Sequence, residues 1–256
     1  GTSQTFDVGA GAAERAPLAE VLQVFFQRGG ALIDSSPMYG RAESVVGDLL
    51  AASGTRPAVF AATKVWTDGR ERGMAQMEES SRRLGVEAVD LMQIHNLRDW
   101  RTHLPVLREW KEAGRIRYLG ITTSHGRDHE ALEAVLRAEA LDFVQFSYNL
   151  EDRSVEERLL PLAAERGIAT LINRPFQRGG LFRKVQGIAL PEWSAECDAR
   201  TWGQFFLKFI LGHPAVTCVI PATAKARHME DNMGAGFGRL PDAGLRRRMV
   251  DFYAAL

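Results

Sequence analysis

The sequence has few of the residues that mark a disulfide-stabilised or membrane-spanning protein. Its 256 residues include only two cysteines, Cys197 and Cys218, which form no CxxC pattern, so we expect two plain thiols rather than a disulfide framework. The longest apolar stretch, positions 205–222, is interrupted by Lys208 and His213 and is therefore unsuited to span a bilayer.

An excess of charge of either sign is also missing. Lysine and arginine together number 32, as do aspartate and glutamate, which argues against nucleic acid or a membrane as a partner. No linker rich in proline, glycine or serine divides the chain, and 45% of its residues are hydrophobic. We therefore expect residues 1–256 to form a single domain, of the size of an α/β barrel.

Two kinds of apolar pattern, one with helical spacing and one nearly continuous, alternate along the sequence. Helical spacing predicts a first helix within positions 17–28 and further helices over 42–52, 72–84, 103–113, 129–138, 155–165 and 202–211. Near-continuous apolar runs between them predict strands over 31–34, 59–64, 89–95, 118–122, 143–148, 169–174 and 216–221. This alternation is typical of a parallel sheet covered by helices.

The predicted fold class is α/β, a (β/α)8 TIM barrel with parallel strands. Seven strands are counted, and a helix precedes the first of them. The remaining strand is therefore expected to end at or before Gly1, so that the first strand of the barrel is largely missing at the N-terminus.

Polar side chains recur where the predicted strands end. In a barrel of this type, the carboxyl ends of the strands carry the active site. Each residue taken alone is an ordinary turn former or a solvated side chain, but their common register predicts one functional face. The residues in question are Asp34, Lys64, His95, Thr122, Gln145, Asn173, Arg174, Pro221 and Thr223.

Four residues on this face could donate a proton to a carbonyl oxygen. Tyr39 is the one neutral group able to donate at pH 7, and the ammonium of Lys64 is expected to lower the phenol pKa from about 10 towards the working pH. Asp34 is expected to keep Lys64 charged and in place. His95 is expected to orient the carbonyl and to join a proton relay at low pH.

Six segments of the sequence resemble, in order and spacing, the motifs of the aldo-keto reductases. The first is positions 34–40, which contain Asp34 and Tyr39, and the others are ATKV, QIHN, YLGIT, QFSYN and IPATAKARHMEDNM. The resemblance covers essentially the whole chain, and INRPFQRGGLF is similar to a branch of the family that is often bacterial. It implies that Asp34, Tyr39, Lys64 and His95 form a catalytic tetrad. It also implies NADPH-dependent reduction of an aldehyde or ketone to an alcohol, with the hydride coming from the nicotinamide and the proton from Tyr39.

The resemblance further implies a set of residues that bind NADP(H), although the sequence has no Rossmann fingerprint. They are Thr2, Thr122, Thr123, Gln145, Asn173, Arg174, Pro175, Phe176, Arg178, Gly179, Gly180, Ile220, Ala222, Thr223, Lys225, His228, Asp231 and Asn232. Thr122, Thr123 and Gln145 would hold the carboxamide, and the Arg178-Gly179-Gly180 loop would approach the pyrophosphate.

The sequence departs from the family pattern at four of these positions, the first being Thr122, which replaces the usual serine. Thr123 replaces the usual asparagine, and Asn173 replaces an aromatic residue that stacks on the nicotinamide. His228 replaces an arginine that grips the 2′-phosphate, which leaves Lys225 as the expected permanent cation.

Substrate and partners are less specified. Met38, Trp66 and Trp100 follow active-face strands and are expected to line a substrate pocket, or equally to pack in the core or at the rim. We expect a small carbonyl substrate, no metal site, a monomer or weak oligomer, and the cytoplasm as the default location, with export left open. The alternatives are a cofactor-binding regulatory subunit without turnover and a barrel enzyme with a phosphate or metal site.

Overall fold

A computed structural model describes all 256 residues and contains seven strands and ten α-helices. The strands are β1 (Leu32–Asp34), β2 (Phe60–Val65), β3 (Val89–Ile94), β4 (Ile116–Thr122), β5 (Phe143–Ser147), β6 (Ala169–Asn173) and β7 (Cys218–Val219). The helices are α1 (Ala12–Gln27), α2 (Ala42–Ser53), α3 (Arg70–Leu84), α4 (Trp100–Glu112), α5 (His129–Ala138), α6 (Leu159–Glu165), α7 (Gly180–Lys184), α8 (Trp202–Leu211), α9 (Ala226–Gly234) and α10 (Ala243–Ala254). The strand order in the sheet is the order in the chain, and every pairing described below is parallel.

The prediction of seven strands alternating with helices is therefore confirmed, although several elements differ in extent, among them α1, which begins at Ala12 rather than near position 17. The helix predicted from Val155 begins only at Leu159, because Pro161 lacks an N–H and is tolerated in the first turn of a helix but not in its interior. The last strand is confined to Cys218 and Val219. A further strand before Gly1 stays a prediction. None of the helices is long and apolar enough to cross a membrane.

The chain divides into two compact units, so the single domain stays a prediction. Unit 1 comprises Gly1–Thr122, Leu141–Phe143 and Ala222–Met229. Unit 2 comprises Thr123–Ala140, Val144–Pro221 and Glu230–Leu256.

In unit 1, β1 to β4 pair in sequence order, with Asp34 opposite Ala62 and Lys64 opposite Gln93. Helices α2 and α3 end where Gly54 and Gly85 adopt the left-handed backbone that glycine allows at a helix C-terminus. Buried apolar residues from α1, β1 and α2 form a continuous core that includes Leu18, Val21, Leu22, Ile33, Val45, Val46 and Leu50. This core fixes β1, whose last residue is Asp34.

In unit 2, β6 pairs with β7, and α8 is a largely apolar helix, most of whose residues are buried. Three aromatic side chains of α8, Trp202, Phe205 and Phe206, form a cluster with Phe176, Phe182, Trp193, Phe252 and Tyr253. Lys208 is buried in α8, and its ammonium donates to the carbonyls of Phe237 and Arg239 at 2.7 and 3.0 Å. Both cysteines are free thiols, as predicted.

Gly47 permits the close approach of α2 to α3. A Cβ at this buried position would lie 2.0 Å from the carbonyl oxygen of Arg83, which is backbone and cannot move aside. Gly47→Ala is therefore expected to lower the free energy of unfolding by about 1–3 kcal/mol, as overpacking does. This is the opposite of the gain of about 1 kcal/mol that alanine gives in an unhindered helix.

Urea unfolding of the variant measures this change. The matched control is Gly236→Ala, because Gly236 is exposed and its nearest obstacle lies 3.4 Å away. Equal stability of the two variants would contradict the steric explanation.

Candidate active site

A buried ion pair between the ends of β1 and β2 forms the centre of the site in unit 1. The ammonium of Lys64 donates to both carboxylate oxygens of Asp34, at 2.8 and 2.7 Å, and to the carbonyl of Ser35 at 2.6 Å. Lys64 is 0% exposed and Asp34 is 2% exposed. The three acceptors satisfy all three protons of the ammonium, which a buried charge requires.

The pKa of Lys64 reflects two opposing effects. Burial lowers the pKa of the ammonium, but the attraction of Asp34 and its hydrogen bonds outweigh burial, so the pKa lies above its ordinary value. Lys64 is therefore a permanent cation, as the sequence predicted.

Tyr39 lies on the turn between β1 and α2, with its ring beside this cation. The Lys64 ammonium is 5.3 Å from the centroid of the Tyr39 ring. Burial nevertheless raises the pKa of Tyr39, and the negative charge of Asp34 adds to that effect against Lys64. The predicted lowering of the phenol pKa towards neutrality is wrong, because it counted the lysine charge without the burial and the aspartate that accompany it.

His95 follows β3 and packs edge-on against Tyr39, with ring centroids 6.0 Å apart. The imidazole is 5% exposed, and burial, with the charge of Lys64, lowers its pKa to about 3. The ring is therefore neutral at every working pH. The predicted proton relay through His95 at low pH is wrong for this reason, whereas its proximity to Tyr39 agrees with the expectation.

Sequence reasoning missed three residues that support these groups. The buried amide of Gln93 donates to Asp34 Oδ1 at 3.0 Å. The carbonyl of Ser35 accepts a hydrogen bond from the Lys64 ammonium. The hydroxyl of Ser36 lies 3.1 Å from His95 Nδ1. Gln93 lies two residues before His95, so the period of a strand places both on one face. A polar residue two positions before His95, in an otherwise apolar strand, was the sequence signal that could have identified Gln93.

Several residues implied to bind the cofactor lie in unit 1. Thr2 is buried and bonds to the carbonyl of Asp34, and the hydroxyl of Thr122 accepts from the N–H of Asn96 at 3.0 Å. Thr223 caps the turn before α9 by accepting from the N–H of Lys225 at 3.1 Å. Ala222, Lys225 and His228 are exposed.

A polar network in unit 2 contains further residues of this set. Asn173 donates to the carbonyl of Thr123 at 2.9 Å and accepts from Ser147 at 2.7 Å. The side-chain amide of Asn173, which stands where the resemblance implies a stacking aromatic ring, is thus hydrogen-bonded to other groups of the protein. Thr123 is 2% exposed, yet its hydroxyl has no hydrogen-bond partner, and it is a buried polar group of the kind that a ligand satisfies.

Arg174 follows Asn173 with a left-handed backbone (φ 52°), and its guanidinium donates to His125 Nε2 at 2.8 Å. Arg178 also has positive φ and is exposed, next to Gly179. Gln145, Pro175 and Ile220 are buried in unit 2, Gly180 begins α7, and Asn232 lies on α9.

Two members of the set have structural contacts in unit 2. Phe176 packs on Phe182 with ring centroids 5.0 Å apart. The carboxylate of Asp231 accepts from the hydroxyl of Thr201 at 2.9 Å and from the amide of Gln204 at 3.0 Å. Their cofactor contacts stay predictions.

The three residues predicted to line a substrate pocket lie in unit 1. Trp66 is 6.4 Å from His95, measured between ring centroids, and the Arg98 guanidinium lies 5.2 Å over the indole. Trp100 begins α4 and is half-buried, and Met38 is 41% exposed beside Tyr39. The indole of Trp66 is thus placed to contact a molecule that reaches His95.

A profile of the aldo/keto reductase family matches residues 1–247 of the chain. The chain belongs to the aldo/keto reductase family. It is therefore an oxidoreductase, as the resemblance of its motifs implied.

Similar proteins agree with this membership. The aldo-keto reductase YhdN of Bacillus subtilis is 31% identical over 185 residues, which cover 65% of this chain and 54% of YhdN. The methylglyoxal reductase YeaE of Escherichia coli is 26% identical over 89% of this chain and 82% of its own. The fold matches an aldo/keto reductase of Klebsiella pneumoniae crystallised with NADP and acetate, with a TM-score of 0.81 and 23% identity over 98% of this chain and 89% of that one. The parallel (β/α) barrel fold class is confirmed by this match.

The low pKa of His95 predicts a pH dependence for the stability of this aldo/keto reductase. The unfolded imidazole takes up a proton below about pH 6.5, whereas the folded one does so only near pH 3. Stability is therefore lost as the pH falls from about 6.5 towards 3, and the loss from this residue reaches about 2 kcal/mol at pH 5.

The check is to measure the free energy of unfolding of wild type and His95→Gln between pH 8 and pH 5. The difference between the two proteins should shift by that amount in favour of the glutamine variant as the pH falls. A constant difference would mean that His95 titrates normally in the folded protein.

Proposed function

We propose that the chain catalyses the NADP(H)-dependent reduction of an aldehyde or ketone to an alcohol, with Tyr39 as the proton donor. The observation that carries the proposal is that the ring of Tyr39 lies close both to a charged Lys64, whose protons all have acceptors, and to a neutral His95. Membership of the aldo/keto reductase family supports it.

The raised pKa of Tyr39 fits a group that must hold its proton until the reaction requires it. The nicotinamide, when bound, supplies the hydride that reduces the carbonyl carbon. The oxygen then gains charge until it is about as basic as hydroxide, and bulk water has a pKa of about 15.7. Tyr39 can protonate such an oxygen without a lowered pKa, while Lys64 stabilises the phenolate that remains.

Asp34 and His95 have supporting roles in this proposal. Asp34 fixes the position of Lys64 and balances its charge, so the cation stays beside the phenol. His95 is neutral, so it can orient a carbonyl oxygen by a hydrogen bond without competing as an acid.

The residues present suit a nicotinamide cofactor. The orphaned hydroxyl of Thr123 would hydrogen-bond to the carboxamide, and Gln145 would assist. Arg174 and Arg178, with the backbone of Gly179 and Gly180, would neutralise the pyrophosphate. Asn173, which is held by Ser147 and Thr123, would provide a polar amide in place of a stacking ring.

Lys225 would select NADPH over NADH. It is exposed, makes no ion pair, and precedes α9, whose first N–H groups favour an anion. Thr223 would add a hydroxyl, and His228 would contribute charge only when protonated. The Klebsiella relative, crystallised with NADP, is consistent with this cofactor.

The substrate would be a small carbonyl compound, with Trp66, Trp100 and Met38 as apolar walls of its pocket. The methylglyoxal reductase among the relatives acts, by its name, on such a compound. Consumption of NADPH across a panel of small aldehydes and ketones tests the general activity. Binding of NADPH without turnover of any carbonyl would instead support a regulatory subunit.

Tyr39→Phe is expected to lower kcat for carbonyl reduction by about 10² to 10⁴, because it keeps the ring but removes the transferable proton. The dissociation constant for NADPH should stay nearly unchanged. Stopped-flow single turnovers and fluorescence titration measure the two quantities. Tyr118→Phe is the matched control, because Tyr118 packs on Phe60, away from Lys64. Near-normal turnover of Tyr39→Phe would assign the proton to another group.

Lys225→Ala is expected to weaken NADPH binding by about 1–3 kcal/mol, the scale of a charged hydrogen bond, and to leave NADH binding almost unchanged. The wild-type preference should fall with rising salt. Titrations with both cofactors measure this, with Lys184→Ala as the control for loss of an exposed lysine. Equal losses for NADPH and NADH would mean that Lys225 does not contact the 2′-phosphate.

A further inference from the structure

The hydroxyl of Ser36 is the only polar group of the protein that hydrogen-bonds to the His95 ring. Ser36 lies two residues after Asp34, at the end of β1, and is 0% exposed. Its Oγ is 3.1 Å from His95 Nδ1 and 3.4 Å from the backbone nitrogen of Met38. These are the contacts that the hydroxyl makes.

The direction of the bond between Ser36 and His95 follows from counting protons. The N–H of Met38 can only donate, so it occupies a lone pair of Ser36 Oγ. If Nδ1 also carried a proton, it too would donate, and the hydroxyl proton of Ser36 would have no acceptor inside the protein. A buried donor without an acceptor is costly, so the arrangement with lower free energy has Ser36 donating to an unprotonated Nδ1.

A neutral imidazole with an unprotonated Nδ1 carries its proton on Nε2. That nitrogen makes no hydrogen bond within the protein, and it is not among the fully buried polar atoms. Its neighbours are the rings of Tyr39 and Trp66, which offer no strong acceptor in its place. The Nε2–H group is thus open to an acceptor from outside the protein.

We propose that Ser36 is a positioning residue that locks His95 in the tautomer protonated on Nε2, so that the imidazole is a fixed hydrogen-bond donor to the substrate oxygen. The second part of this statement rests on the proposed carbonyl reduction, whereas the tautomer itself does not. The low pKa of His95 agrees with it, because the ring must stay neutral for a tautomer to exist. Without Ser36, the ring could place its proton on either nitrogen, and only one form could donate from Nε2.

The test is ¹⁵N NMR of protein labelled at histidine, with the His95 signals assigned by comparison with His95→Gln. The ¹⁵N shifts separate a protonated ring nitrogen from an unprotonated one. Wild type should have Nε2 protonated and Nδ1 unprotonated at pH 7, and Ser36→Ala should give a mixture of the two tautomers. Ser35→Ala is the matched control: it removes a neighbouring buried hydroxyl that contacts Thr2 rather than His95, and it should leave the tautomer unchanged.

The kinetic consequence is measured on the same proteins. Ser36→Ala should lower kcat for carbonyl reduction by about three- to ten-fold, the scale of one neutral hydrogen bond, with a smaller effect on KM. Ser36→Cys keeps a weaker donor in nearly the same volume and should fall between the two proteins in both tautomer and rate.

Three results would overturn the proposal: a wild-type His95 protonated on Nδ1, a Ser36→Ala variant with the wild-type tautomer, or a tautomer shift with unchanged kcat. The first can be decided even if the alanine variant fails to fold. If no carbonyl is reduced by any of these proteins, the proposed function fails, and the NMR result still decides the tautomer.

Discussion

The arrangement of the site depends on one buried ion pair. Lys64 is fully enclosed, and an isolated ammonium there would be too costly to keep charged. Asp34 and the Ser35 carbonyl supply its three acceptors, and the amide of Gln93 donates to the same carboxylate. Removal of one member of a buried pair typically costs about 3–5 kcal/mol, so this cluster fixes the ends of β1, β2 and β3 relative to one another. Tyr39 and His95 then take their positions from the chain segments that follow those ends.

Lys64 is charged in the folded protein, whereas the two rings beside it are neutral. Lys64 stays charged because it has a partner, whereas burial keeps both Tyr39 and His95 in their neutral forms. One permanent charge therefore acts beside two neutral hydrogen-bonding groups. Such a site can stabilise negative charge that develops during a reaction, while Tyr39 and His95 keep their neutral forms in the resting state. A neutral imidazole still has two tautomers. In our proposal, Ser36 selects the one with its proton on Nε2.

Unit 2 differs from the family pattern at positions where the protein has built its own contacts. Asn173 is engaged by Ser147 and Thr123, and Arg174 is engaged by His125. Asn173, which replaces the aromatic residue, is therefore part of a polar network that also includes Arg174, since the N–H of His125 donates to Ser147. The hydroxyl of Thr123 is the exception in that network, because it is buried without a hydrogen-bond partner in the protein.

The sequence by itself determined the alternation of strands and helices and predicted that Asp34, Tyr39, Lys64 and His95 share one face, because periodicity and strand-end register are local properties of the chain. It could not determine the ionisation of Tyr39 and His95, since burial and the opposing charge of Asp34 arise only when residues 30 and 59 positions apart come together. For the same reason, the supporting contacts of Gln93 and Ser36 could not be read from one segment. The sequence therefore identified which groups are present, and only the tertiary structure decided their protonation, because the free energy of a charge depends on what surrounds it.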